Sequence, residues 1–146
     1  MKNGWTLEGK HALITGGSKG IGWAIAEEFL ALGAEVTVVA RTGPDVNALL
    51  KDWSGHSPGL NGIVADVSTP SGIDRIVEAM QGEESRLDIL VNNAGTNIRK
   101  ESLRYSREEF QFLLDTNMTP AFKSNTTKPM TNARCVNLVS FGLAIS

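Results

Sequence analysis

The sequence predicts a doubly wound parallel α/β sheet of about five strands, with helices on both faces. Short apolar segments rich in β-branched residues, which suit buried strands, alternate along the chain with segments whose apolar residues recur every three or four positions. Parallel neighbours need long connections, and right-handed crossovers place the connecting helices on both faces of the sheet. The 146 residues match one domain of ordinary size, so we expect a single domain over 1–146.

The first half of this pattern contains two strands and two helices. The apolar run His11–Thr15 stops at a cluster of glycines and predicts the first strand, and the β-branched run Glu35–Ala40 predicts the second. Gly33 marks the end of the first helix, and Pro44 marks the start of the second. The apolar residues at helical spacing are Ile21, Ile25, Phe29 and Leu32 in the first helix, and Val46, Leu49, Leu50 and Trp53 in the second.

The second half continues the alternation with three more strands and two more helices. The strands are predicted over Gly62–Ala65, Leu87–Val91 and Cys135–Val139. Thr69 and Pro70 suit the cap and the first residue of one helix, and Ser106 with Glu109 three residues later forms a capping box for the other. The helical apolar residues are Ile73, Ile76, Val77 and Met80, then Phe110, Leu113, Leu114 and Met118.

Composition and charge exclude several classes of function. Hydrophobic residues make up 41% and charged residues 21% of the chain, as in a folded globular domain, and the net charge is −2. No surplus of cations is available for nucleic acid or an anionic membrane surface. No segment is long and apolar enough for a membrane span, and the start of the chain lacks a signal peptide, so we expect a cytoplasmic protein.

Metal and disulfide chemistry are also disfavoured. Cys135 is the only cysteine, so no intrachain disulfide or thiolate cluster can form. His11 and His56 are two isolated imidazoles, which do not make a metal site. We therefore predict no metal.

A glycine-rich turn, Thr15–Gly22, joins the first predicted strand to the first helix. Glycines there allow a tight turn and let backbone N–H groups approach a pyrophosphate at the helix N-terminus. The order Lys19-Gly20 excludes a nucleoside-triphosphate P-loop, which needs Gly-Lys followed by Ser or Thr. A dinucleotide is the better ligand, although a turn that only packs helix on strand remains an alternative.

The end of the second strand favours the phosphorylated dinucleotide. An NAD site places an acidic residue there for the ribose hydroxyls, whereas this chain has Ala40 and Arg41. A guanidinium suits the 2′-phosphate of NADP, and Lys19 adds a second cation. Two solvated surface cations are the alternative.

These motifs, taken in order, resemble the short-chain dehydrogenase/reductase family. They are the Thr-Gly-x-x-x-Gly-x-Gly turn, Asp66-Val67, Asn92-Asn93-Ala94-Gly95, Asn117 and Ser140. The opening segment 5–10 and the segment 92–97 look most like the tropinone-reductase-like members. The resemblance covers 1–118 and then weakens.

The resemblance implies a Rossmann-like dinucleotide-binding domain and a role for each motif residue. The implied cofactor-binding residues are Gly16, Gly20 and Gly22 around the pyrophosphate, Ser18, Lys19 and Arg41 on the 2′-phosphate side, Asp66 and Val67 at adenine, and Asn93, Ala94 and Gly95 along the cofactor. Ile21, within the glycine-rich turn, is also implied to bind the cofactor. A local turn role remains an alternative for Asp66 and Asn93.

Two further residues are implied to be catalytic. Asn117 follows Leu114 by three positions on the apolar stripe of its helix, so its amide faces inward and needs a partner. In the family this position organises a proton-relay water. Ser140 matches the serine that binds the substrate carbonyl oxygen, although a plain strand-end serine is an alternative.

The family's Tyr-x-x-x-Lys pair, which supplies and tunes the general acid, is absent from this sequence. The only tyrosine, Tyr105, is followed four positions later by Glu109 rather than by a lysine. The resemblance therefore implies an NADP-dependent oxidoreductase for a small carbonyl or alcohol substrate that is weakly active or inactive alone. We expect the domain to stop after the fifth strand, incomplete at its C-terminal end.

One alternative comes from a different class of function. A non-catalytic NADP-binding pseudoenzyme or a protein-interaction module would use the same domain without hydride transfer. An uncovered fifth strand would leave unpaired backbone groups, so we also expect that a homo-oligomer can form through that edge.

Overall fold

The computed structural model describes residues 4–53, 58–81, 86–95, 106–117 and 134–137. These residues form a five-stranded parallel sheet in the order β3-β2-β1-β4-β5, flanked by four helices. The elements are β1 (His11–Thr15), α1 (Gly20–Ala31), β2 (Glu35–Ala40), α2 (Gly43–Trp53), β3 (Leu60–Val64), α3 (Pro70–Ala79), β4 (Ile89–Asn92), α4 (Arg107–Asn117) and β5 (Arg134–Asn137). The predicted fold class is confirmed.

β1 lies at the centre of the sheet and carries the core on both of its faces. Ala12 pairs with Val36 of β2 on one side and with Ile89 of β4 on the other. Because successive side chains of a strand point to opposite faces, Leu13 packs on the side of α3 while its two neighbours pack on the side of α1. One buried cluster contains Leu13, Val39, Ala65, Val67, Ile73, Ile76, Met80, Leu87 and Leu90, and the other contains Ala12, Ile14, Ala26, Leu30, Ala34, Val36, Val38 and Val91.

The helix signals in the sequence correspond to observed caps. Gly33 has a φ of 89°, which a residue without a Cβ adopts at little cost, and it follows the end of α1. The Thr69 hydroxyl accepts the Gly72 N–H at 3.0 Å at the start of α3. In the capping box, the Glu109 N–H donates to Ser106 Oγ (3.1 Å) and the Ser106 N–H donates to Glu109 Oε2 (2.9 Å).

A carboxylate, Asp88, joins β1 to the segment before β4 at the N-terminal edge of the sheet. Its Oδ2 accepts the backbone N–H of His11 at 3.1 Å, and its Oδ1 lies 2.8 Å from Arg86 and 3.6 Å from Lys10. Burial raises the pKa of Asp88, but the His11 N–H and the charges of Arg86 and Lys10 outweigh it, so the net pKa lies below the ordinary value of 3.8. Asp88 therefore stabilises the fold in its ionised form.

Asp88→Asn is expected to lower the free energy of unfolding at pH 7 by about 1–2 kcal/mol, because charge-assisted hydrogen bonds are lost. The lowered pKa means that the unfolded state binds more protons in acid. This stabilisation is thus complete above pH 3.8 and is lost as the pH falls through the folded-state pKa. In urea unfolding experiments at neutral and acid pH, the free energy of unfolding of the variant should fall less with decreasing pH than that of the unchanged protein. Asp74→Asn is the control, because Asp74 is an exposed carboxylate on α3. If the free energy of unfolding of Asp88→Asn and of the unchanged protein fell in parallel with pH, the role of Asp88 would be contradicted.

Candidate functional site

A groove of about 350 Å³ opens where the strands end at their carboxyl edge, and we call it the strand-end groove. The residues directly after β1, β2 and β4 line it, as do those that follow β3. The lining residues are Gly16, Ser18, Lys19, Val39, Ala40, Arg41, Thr42, Asp45, Ala65, Asp66, Val67, Asn93, Ala94 and Gly95. Open α/β sheets bind their ligands at this edge.

Three of the predicted cofactor-binding residues do not line the groove. Gly20, Ile21 and Gly22 form the first turn of α1, directly behind the lining residues of the glycine-rich turn. The Ile21 side chain is 71% exposed. Five lining residues were not among the predicted cofactor-binding residues: Val39, Ala40, Thr42, Asp45 and Ala65.

Two positions of the glycine-rich turn, 16 and 22, have a backbone geometry that requires glycine. Gly16 has a φ of 66°, and its N–H donates to the Val39 carbonyl at 2.8 Å. A Cβ on Gly22 would collide with the Gly16 carbonyl oxygen and with Asn93 Nδ2. The turn therefore brings the N-terminus of α1, with its free backbone N–H groups, directly against the ends of β1 and β4.

Hydrogen bonds from Thr15 and Asn93 hold this turn to the end of β4. Thr15 Oγ1 accepts the backbone N–H groups of Asn93 and Ala94, each at 3.1 Å. Asn93 Nδ2 donates to the Gly16 carbonyl at 3.1 Å, across 77 positions of sequence. The Asn93 amide is thus engaged in a long-range bond rather than in a local turn, and it sets the position of the groove's inner wall.

Asp66 adopts the local turn that was the alternative to a cofactor role. Its Oδ1 accepts the Ser68 N–H at 2.9 Å and the Ser68 hydroxyl at 2.7 Å. Its carbonyl accepts the Thr69 hydroxyl at 2.9 Å. Asp66 is half-buried and lines the groove as well, so the turn fixes the groove wall on the β3 side.

The electrostatics of the two sheet edges differ. Within the described part of the chain, Lys19 and Arg41 have no carboxylate within 4 Å, although both line the strand-end groove. Lys10 and Arg86, at the opposite edge, are both paired with Asp88. Unpaired cations at the carboxyl edge suit an anionic ligand.

Several predicted residues lie outside what the structure describes. Asn117 is the last residue of α4, and its side chain is not described. Ser140, Tyr105 and His56 lie outside the described residues. His11 Nε2 is hydrogen-bonded to Thr37 Oγ1 at 2.8 Å.

The described residues also bear on metal binding and on membrane insertion. No three His, Cys, Asp or Glu side chains among them cluster closely enough to hold a metal ion. None of the described helices has the length and apolar character needed to cross a membrane.

Comparisons with known proteins agree on one family. The family model described as short chain dehydrogenase matches residues 10–139. A tropinone reductase homologue of Arabidopsis thaliana is 38% identical over 139 residues, which are 94% of this chain and 53% of that protein. The chain thus spans about half the length of the curated relatives it matches.

Two solved structures superpose closely on this chain. The Pseudomonas aeruginosa RhlG/NADP active-site complex has a TM-score of 0.79 at 32% identity, covering 90% of this chain and 50% of that one. L-sorbose reductase from Gluconobacter frateurii, complexed with NADPH and L-sorbose, has a TM-score of 0.77 at 32% identity, covering 86% of this chain and 47% of that one.

Proposed function

This chain belongs to the short-chain dehydrogenase/reductase family, and we propose that it binds NADP(H) as the cofactor-binding part of an oxidoreductase for small carbonyl or alcohol substrates. The observation that carries the proposal is the strand-end groove itself. It combines a glycine-rich turn at its inner end with two cations, Lys19 and Arg41, that have no carboxylate within 4 Å among the described residues.

The groove fits the two kinds of phosphate in NADP(H). The close approach of Gly22 to Gly16 and Asn93 leaves no room for a side chain at position 22. Backbone N–H groups at the start of α1 are therefore proposed as donors to the diphosphate. Lys19 and Arg41 are suited to the adenosine 2′-phosphate through charge-assisted hydrogen bonds. The NADP and NADPH complexes of the two similar structures support this assignment.

Each residue has a defined task in this proposal. The bound dinucleotide supplies hydride transfer to or from a carbonyl carbon. Thr15 and Asn93 hold the glycine-rich turn in position through their hydrogen bonds. Asn93, Ala94 and Gly95 form the wall along which the rest of the cofactor extends. Asn117 and Ser140 are proposed as the proton-relay and carbonyl-binding residues on resemblance alone.

The expected rate of turnover depends on whether the chain contains a proton donor. The sequence has one tyrosine, Tyr105, and no Tyr-x-x-x-Lys. A positioned general acid contributes typically 10²–10⁴-fold to rate. We therefore propose that the 146-residue chain binds NADP(H) with little or no turnover by itself.

Calorimetric titration of the purified chain with NADPH and NADH tests the proposal. We expect NADPH to bind about tenfold or more tightly than NADH, because one charge-assisted hydrogen bond is worth roughly that factor. Arg41→Gln should reduce the difference in affinity between NADPH and NADH. Small ketones should not accelerate the oxidation of NADPH by the chain. Equal affinity for both dinucleotides would contradict the assignment of NADP(H), and rapid ketone-dependent oxidation would contradict the expected low turnover. Binding of neither dinucleotide by a stable oligomer would favour the protein-interaction module instead.

A further inference from the structure

A second groove of about 420 Å³ adjoins the strand-end groove on the side of α3, and we call it the α3 groove. Arg41, Ala65 and Asp66 line both grooves, so the two are direct neighbours. Arg75 of α3 lines only the α3 groove. Two guanidinium groups, from β2's end and from α3, thus face one cavity beside the proposed adenosine site.

The packing of α3 fixes the position of Arg75. Ile73 and Ile76, on either side of it in sequence, are buried in the core against the sheet. The helix start is held by the Thr69 cap and by Pro70 in the first turn. Arg75 therefore projects from an anchored helix, although its own side chain is exposed.

The charges around Arg75 also bear on its role. Among the described residues no carboxylate lies within 4 Å of its guanidinium. Lys19 and Arg41 likewise have no carboxylate within 4 Å among the described residues, whereas Lys10 and Arg86 are paired with Asp88. An exposed arginine without a partner inside a groove is available to an anion.

The charges of the strand-end groove show why a third cation matters. Its lining residues Lys19 and Arg41 are balanced by Asp45 and Asp66, so the groove alone offers no net positive charge. A phosphate monoester carries about −1.5 to −2 charges at neutral pH. Arg75 adds one positive charge at the side where the two grooves meet.

We propose that Arg75 is a specificity-determining residue that, with Arg41, binds the adenosine 2′-phosphate of NADP(H) in the α3 groove. The inference rests on the proposed function, because it assigns one more contact to the same cofactor. Two guanidinium groups lining one groove favour the phosphorylated over the unphosphorylated dinucleotide, because each can form charge-assisted hydrogen bonds with the phosphate.

Titration of Arg75→Gln with NADPH and NADH tests the inference. We expect NADPH binding to weaken about fivefold to tenfold, with NADH binding unchanged and with a shallower salt dependence for NADPH. Arg75→Lys, which keeps the charge but not the planar fork, should recover part of the loss. Arg107→Gln removes an exposed cation of α4 that lines neither groove and should change neither affinity.

The outcomes separate this inference from the proposed function. A preference for NADPH in the unchanged protein that persists in full in Arg75→Gln would overturn the role of Arg75 and leave the proposed function in place. Equal weakening of NADPH and NADH would also overturn it, since the residue would then not select the 2′-phosphate. No preference for NADPH in the unchanged protein would overturn both.

Discussion

Gly22→Ala is expected to weaken NADPH binding on the order of 100-fold, which corresponds to losing about two hydrogen bonds to a charged group. A Cβ at this position meets Asn93 Nδ2 and the Gly16 carbonyl oxygen. Either the Asn93–Gly16 hydrogen bond breaks or the start of α1 moves away from the end of β1. Both changes displace the N–H groups that are proposed to bind the diphosphate, so NADH should lose the same factor.

The effect on the turn can be separated from a change in helix stability. Alanine is the better helix former by roughly 1 kcal/mol, so weaker binding would not come from a less stable α1. Gly43→Ala, at the start of α2, is the matched control, because a Cβ there meets nothing within 4 Å. Calorimetry on both variants, after circular dichroism has shown them folded, checks the expectation. Unchanged affinity in folded Gly22→Ala would show that this close approach does not position the cofactor site.

Gly72→Ala is expected to lower the free energy of unfolding by about 3 kcal/mol, at the upper end of what overpacking costs. Its Cβ would collide with the backbone carbonyl of Asp66, which has little room to move because it already accepts bonds from the Thr69 N–H (3.2 Å) and hydroxyl (2.9 Å). The first turn of α3 must shift, and the cap bond from the Gly72 N–H to Thr69 is lost with it.

Urea unfolding of this variant beside Ser71→Ala provides the measurement. Ser71 is the exposed neighbour of Gly72. Replacing it by alanine removes only its hydroxyl group and should change the free energy of unfolding by less than about 0.5 kcal/mol. A shift of α3 moves the wall of both grooves, so NADPH and NADH should weaken together in Gly72→Ala. Full stability of Gly72→Ala would mean that the loop from Asp66 to Thr69 adjusts without cost.

Local patterns predicted the order and type of every described element, because each strand is an apolar run and each helix has its own stop or cap signal. Several boundaries were predicted less well, since pairing with a neighbour decides them. β3 begins at Leu60, two residues before the predicted Gly62, because Leu60 pairs with Val36. β4 begins at Ile89 rather than Leu87, which is buried but lies before the strand. β5 begins at Arg134, and the end of the predicted strand lies outside the described residues.

The candidate site shows the same division between local and non-local information. Gly16 and Arg41, which line the strand-end groove, were predicted because each directly follows a strand in the sequence. Asp45 and Arg75 were missed because each stands on a helix surface, where a charged residue is ordinarily solvated. Only the packing of α2 and α3 against the sheet brings them to a groove.

The central place of β1 in the sheet has a consequence for synthesis on the ribosome. β1 can pair with β2 as soon as both have emerged, since Ala12 meets Val36, but its other partner Ile89 is made much later. Until then the nascent sheet exposes one hydrogen-bonding edge of this central strand, which another chain can capture. During this interval the exposed edge needs protection by chaperones. Mutations of the β1–β4 contact, such as those at Thr15, are therefore expected to lower the yield of folded protein first at this stage.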